Sequence, residues 1–263
     1  MDLNYQVANL QGPFFPEFQY AYVKDPLSEL NNCIRVIIRQ QPAFFESMAP
    51  CTFQTTYHVF GETAQGFKYL FRCRERNGCY CRCCCSSDTK EFNIEIFQVT
   101  STGLQTNTKQ VANAYKPLKC TCCCCNKSMI YVNGGDRPIG KIAFILSCCD
   151  PEFQIFEEND FLKYYIKTTC GQVACSRSIC AKTSSYVFNI NEAGTNNILG
   201  NITKIPAQPY ELLTNADSYT INFPQQASEN DKLLIIILGL IIDYQYFENP
   251  KTRRNMNFGY RGK

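Results

Sequence analysis

Short alternations of apolar and polar side chains recur along most of this 263-residue chain. Phe67, Tyr69 and Phe71 alternate with Lys68, Leu70 and Arg72, and Phe92, Ile94 and Ile96 alternate with Asn93 and Glu95. A period of two predicts strands with one face buried. Further strands are predicted at 33–39, 52–60, 129–132, 141–146, 152–156, 163–168, 186–190, 198–205 and 219–223, making eleven in all. Asn133-Gly134-Gly135, Glu158-Asn159-Asp160 and Glu192-Ala193-Gly194 supply turn chemistry between them. This spacing predicts an antiparallel barrel or sandwich. Residues 1–26 read as an irregular arm broken by Gly12-Pro13 and Phe15-Pro16, and Asp25-Pro26-Leu27-Ser28-Glu29-Leu30 as a short helical turn.

The pattern changes once, near the end. Residues 233–242 contain no polar side chain. Ser228 with Asp231 three residues later predicts an N-terminal cap, and Pro250 a stop, so a helix is expected at about 229–247. A helix apolar on every side must be surrounded, by lipid or by protein. The apolar run covers about 15 Å as a helix, half of a roughly 30 Å bilayer core. Extending it to bilayer length would take Asp243 and Gln245 into the membrane, at about 2.5 to 3.5 kcal/mol for a central aspartate. The basic tail (Lys251, Arg253, Arg254, Arg261, Lys263) would favour the cytosolic side, and a single span would then export most of the chain. The expectation is a buried axle, not a span.

Charge changes little: 26 Lys and Arg against 23 Asp and Glu, net +3, implies no general nucleic-acid binder. The start, Met1-Asp2-Leu3-Asn4, has neither a basic region before an apolar run nor a glycine at position 2. It reads as neither a secretory signal nor a myristoylation site, so folding in the cytosol is expected. Eighteen cysteines in a reducing compartment then need an explanation other than disulfides.

Ten of them fall in two clusters, Cys79, Cys81, Cys83, Cys84 and Cys85, and Cys120, Cys122, Cys123, Cys124 and Cys125. Zinc favours separated pairs, and adjacent cysteines cannot all turn inward to one ion. Runs of thiols beside a membrane are S-acylation substrates, and two or more acyl chains, at roughly 0.8 kcal/mol per buried methylene, anchor a domain stably. Packing as small hydrophobes is the alternative, and the one expected of Cys33, Cys51, Cys148 and Cys149. Cys170, Cys175 and Cys180 match no ligand spacing.

No motif sets a nucleophile beside a base, and no glycine-rich phosphate loop occurs, so neither hydrolase nor transferase chemistry is expected. His58, the only histidine, lies in a strand-like segment and is read as structural or surface. Within 215–226, Asn215, Asp217, Tyr219 and Gln226 carry side-chain oxygens at positions 1, 3, 5 and 12, Ile221 would offer its carbonyl at position 7, and Phe223 stands at position 9. That is the outline of a calcium loop with a single carboxylate; without context the same residues read as a turn and a strand.

Read together, Asn215-Ala216-Asp217-Ser218-Tyr219-Thr220-Ile221-Asn222-Phe223-Pro224 and the apolar run into Leu240-Ile241-Ile242-Asp243-Tyr244-Gln245-Tyr246-Phe247-Glu248 resemble the C-terminal signature of the phospholipid scramblase family. Lys116-Pro117-Leu118-Lys119 ahead of the second cysteine cluster resembles its acylated motif, and Leu27-Ser28-Glu29-Leu30 with Gln40-Gln41 its barrel entry.

The resemblance, over about 27–248, implies a tubby-like fold: a closed antiparallel β-barrel of about twelve strands around a central apolar helix, between the arm at 1–26 and a basic tail at 249–263. It implies ATP-independent, calcium-dependent, bidirectional movement of phospholipids between leaflets. It also implies palmitate on the clustered cysteines, and a lipid-anchored location on the cytoplasmic face of a membrane, the plasma membrane above all. The phospholipid membrane is the expected partner and nucleic acid is not, since 200–204 is not basic. Asn215 and Gln226 stand where the family carries acidic residues, so calcium binding is expected to be weak or absent. The alternative is an acylated lipid-binding or scaffold module that does not transport.

Overall fold

The computed structural model describes residues 27–41, 55–76, 91–102, 105–117, 129–145, 151–168, 185–206 and 218–244. A 3-10 turn, Ser28–Asn32, leads into twelve strands: β1 Arg35–Gln40, β2 Thr56–Thr63, β3 Gly66–Glu75, β4 Phe92–Thr102, β5 Gln105–Lys116, β6 Met129–Gly134, β7 Arg137–Ile145, β8 Glu152–Glu157, β9 Leu162–Thr168, β10 Tyr186–Glu192, β11 Ile198–Ile205 and β12 Ser218–Asn222. Each pairs antiparallel with its sequence neighbours, and β1 also pairs with β12, so the meander closes into a barrel. Closure leaves no unpaired edge.

Helix α1, Glu229–Ile242, threads the barrel. Every residue of it from Asp231 onward is buried, and its apolar side chains meet an inner wall that includes Val36, Ile38, Val59, Ile94, Ile142, Phe188, Ile202 and Ile221. Burying each such side chain contributes about 1.5 to 3 kcal/mol, so the filled lumen is the main source of stability. Small residues make room for the helix. A Cβ on Gly140 in β7 would come within 2.4 Å of the Phe156 carbonyl oxygen and 2.9 Å of Leu234. The helix therefore lies close against β7, β8, β12 and the 3-10 turn.

The eleven strands predicted from alternation are all present; β5 is the addition. Its sequence, QTNTKQVANAYK, is mostly polar, and the apolar residues seen buried in it, Val111, Ala112 and Ala114, are too small to mark an apolar face. The helix starts where expected, with Ser228 and Asp231 forming the full capping box, and the described α-helix ends at Ile242. Residues 245–247 of the expected 229–247 lie outside the described residues, as do the arm at 1–26 and the tail at 249–263. Among the described residues no helix is long and apolar enough to cross a membrane.

Candidate functional site at one end of the barrel

An up-and-down barrel sorts its connections by parity. The even-to-odd connections share one end with the start of α1, and several are two-residue turns, as at Ala64-Gln65 and Gly135-Asp136. The odd-to-even connections, much longer, leave and return at the end where α1 finishes. Sixteen of the eighteen cysteines belong to them; Cys33 and Cys73 are the exceptions. Thus 76–91 carries the first cluster and 117–128 the second. Cys79, Cys81, Cys83, Cys84, Cys85, Cys120, Cys122, Cys123, Cys124 and Cys125 themselves lie outside the described residues, and so do Cys51, Cys148, Cys149, Cys170, Cys175 and Cys180. The two exceptions pack as small hydrophobes. Cys33 is buried with its Sγ donating to the Glu29 carbonyl at 3.3 Å, and burial pushes its thiol up to about 11. Cys73 is fully buried and its thiol is likewise raised by burial.

At this end the polar residues face inward. Asp243, 2 % exposed just past the last turn of α1, accepts from the Tyr57 hydroxyl at 2.7 Å and from the Tyr219 hydroxyl at 2.6 Å. A carboxylate at a helix C-terminus opposes the helix dipole, and a buried one needs donors; β2 and β12 supply them. Glu75, Lys116, Tyr186 and Lys204, at or next to the ends of β3, β5, β10 and β11, are buried at the same end. The apolar lumen is closed here by a polar layer.

The opposite end is held by charges. Lys232 donates from Nζ to the carbonyls of Leu30, Asn31 and Cys33 at 2.8, 3.1 and 3.0 Å, tying α1 to the 3-10 turn, and lies 5.6 Å from the Phe223 ring centroid. Burial lowers its pKa. Asp231, besides capping with Ser228, accepts from Lys163 Nζ at 2.8 Å, and Lys163 also reaches Glu157 at 2.6 Å. Burial alone would lower the Lys163 pKa; its hydrogen bonds to Asp231 and Glu157 outweigh that and raise it.

Of the calcium-loop residues, Asn215 and Asp217 lie outside the described residues. Tyr219 and Ile221 are in β12, paired on both sides, with Tyr219 bound to Asp243 and Ile221 buried against the position of Gly239. Phe223 is buried beneath Lys232, and Gln226 is exposed on the turn before α1, at the other end of the barrel. The strand between them rises about 3.3 Å per residue, so Tyr219 and Gln226 are not brought together. Among the described residues no cluster of three His, Cys, Asp or Glu side chains could hold a metal.

Sequence reasoning missed the Tyr57, Tyr219 and Asp243 clamp and the Lys232 cage. The available signal was two charged residues bracketing a run that is otherwise wholly apolar, each of which needed a partner.

Over residues 17–249 the sequence matches the family described as Scramblase. The chain belongs to the scramblase family. Human phospholipid scramblase 2 is 25% identical over 232 residues, covering 86% of this chain and 71% of that protein. Human phospholipid scramblase 1 is 23% identical over 231 residues, 86% of this chain and 67% of that protein. Mouse phospholipid scramblase 4 is 26% identical over 151 residues, which span 56% of this chain and less than half, 44%, of that protein. No solved structure matches. The match takes in the whole barrel and α1.

Proposed function

We propose that this chain is a phospholipid scramblase-like protein that moves phospholipids between leaflets in both directions without ATP. The observation that carries the reading is the family match across the entire barrel, supported by relatives that bear the name phospholipid scramblase. It acts from the cytoplasmic face of a membrane, held by palmitate on Cys120, Cys122, Cys123, Cys124 and Cys125 and on Cys79, Cys81, Cys83, Cys84 and Cys85. The strand order supports this, because the strands flanking both clusters leave and return at one barrel end, so several acyl chains would act together. Calcium is at most a weak ligand, with Asp217 the one carboxylate in 215–226.

A second reading, a membrane-anchored lipid-binding or scaffold module without transport, is favoured by the lumen itself. Leu233, Ile235, Ile236, Ile237 and Leu238 are each 0% exposed, so among the described residues the barrel axis holds no polar path for a headgroup. Lipid movement would have to follow the outside of the barrel. Reconstitution into asymmetric liposomes separates the two: accelerated flip-flop of a labelled phospholipid supports the first, whereas stable vesicle binding with no acceleration, with or without calcium, leaves only the second.

A further inference from the structure

Six large hydrophobic side chains stand exposed among the described residues: Ile34, Tyr115, Tyr131, Phe161, Ile198 and Leu199. Tyr115 and Tyr131 oppose each other across β5 and β6, and each offers a hydroxyl to water. The four without a polar atom share one place. Ile34 precedes β1, Phe161 precedes β9, and Ile198 and Leu199 open β11, so all four stand at the end where α1 starts. They are 72%, 62%, 61% and 41% exposed.

Single exposed apolar side chains are ordinary on a surface, whereas a group of them marks a contact. Barrel order makes these four a group. Only β12 separates β1 from β11, and only β10 separates β11 from β9. At about 4.8 Å between adjacent strands, Ile34, Leu199 and Phe161 follow an arc of roughly 20 Å along the rim. Charge narrows what covers them. Glu157, Glu158 and Asp160 surround Phe161 in the chain, and Glu192 ends β10 at the turn into Ile198. The nearby cations are engaged: Arg35 with Glu62, Lys141 with Asp160, and Lys163 with Glu157 and Asp231. An acidic rim is repelled by an anionic bilayer surface and by a second copy of itself. An occupant without charge and rich in apolar side chains fits it.

The chain supplies such a segment at this place. Residues 1–26 lie outside the described residues and join the barrel at Leu27, which packs on the core directly ahead of the 3-10 turn that Lys232 ties to α1. From Leu3 to Val23 there is one charged side chain, Glu17, and there are six aromatic ones: Tyr5, Phe14, Phe15, Phe18, Tyr20 and Tyr22. The nine steps from Leu27 back to Phe18 reach about 30 Å when extended, longer than the arc. The scramblase match begins at residue 17, so it takes in the end of the arm together with the barrel. We propose that the aromatic segment 14–22 of the arm folds back over this rim and covers Ile34, Phe161, Ile198 and Leu199. A segment on a short tether meets its site at an effective concentration of about millimolar, so weak apolar contacts suffice to seat it. Covering the rim requires neither lipid movement nor acylation; it goes beyond the transport reading and holds or fails apart from it.

The chain contains no tryptophan, so one introduced indole reports on its own position. Full-length protein carrying Ile198→Trp is compared with the same protein also carrying Phe14→Ser, Phe15→Ser, Phe18→Ser, Tyr20→Ser and Tyr22→Ser. With the natural arm, the indole of Ile198→Trp should be shielded from acrylamide and emit to the blue. With the substituted arm, it should be quenched severalfold more strongly and emit to the red. Tyr131→Trp, on the outer wall in β6, should be quenched equally with either arm. Should the substituted arm disturb the barrel, p-benzoylphenylalanine placed at position 18 of the otherwise natural chain should cross-link to the peptide holding Ile34 or to that holding Ile198. Equal quenching of Ile198→Trp with both arms, or no cross-link to the rim, overturns the proposal. So does shielding lost on dilution, which assigns the rim to a second copy, and shielding seen only with phosphatidylcholine vesicles, which assigns it to a lipid surface.

Discussion

The two ends of α1 are closed in different ways. At its start the helix is fastened by ions: Lys232 in a cage of three carbonyls, and Asp231 shared between its own cap and Lys163, beside turns of a few residues. At its finish it is fastened by neutral hydroxyls on one carboxylate, Asp243, beneath connections more than ten residues long in all but one case. Short turns leave no room for variable chemistry, and long connections supported on a rigid barrel do. The barrel thus separates a fastening end of short turns from an end of long connections, and sixteen of the eighteen cysteines belong to the sequence of those long connections.

The division can be broken by substitution at either end. Lys232→Met removes a cation that satisfies three buried carbonyls, and should cost about 3 kcal/mol, read as a shift of the urea midpoint without a change in slope. On the wall between the ends, His58 should contribute a pH dependence of similar size. Its folded pKa of about 4 lies below the ordinary value of 6.5, so the unfolded chain binds the proton more readily. The neutral imidazole's contribution is fully present above about pH 6.5 and is lost as pH falls towards 4, by about 3 kcal/mol. A His58→Gln variant measured in parallel should lack that part of the acid sensitivity.

Asp231→Ala removes the cap and one of two partners of Lys163, with an expected cost of about 2 kcal/mol by the same unfolding measurement. Asp243→Asn keeps one acceptor for the two tyrosine hydroxyls and should cost about 1 kcal/mol, leaving the fold intact by circular dichroism.

The alternation of strand residues and the bare apolar run made most of the barrel and its axle legible in the sequence. β5 was not, because the apolar residues it buries, Val111, Ala112 and Ala114, are too small to mark a face in a local pattern. The locks were hidden for a related reason. Tyr57 lies 186 residues from Asp243 and Lys232 about 200 from the carbonyls it caps, so each pairing exists only once the barrel has closed. Tyr219 was legible as polar but was read as a calcium-loop position, whereas the strand points its hydroxyl at Asp243. The cysteine clusters were legible as clusters; their convergence on one end required strand parity.

The most direct test of that convergence replaces Cys79, Cys81, Cys83, Cys84, Cys85, Cys120, Cys122, Cys123, Cys124 and Cys125 with serine. Membrane partition in cells and the thermal midpoint of the purified protein are then compared with the wild type. Loss of acyl labelling and of membrane partition, with the midpoint moved by less than about 2 °C because nothing in the barrel's fastening has changed, is the predicted result. Undiminished membrane partition, or a fall of many degrees in the midpoint, would contradict the proposal that the long connections carry the membrane anchor apart from the fastening end.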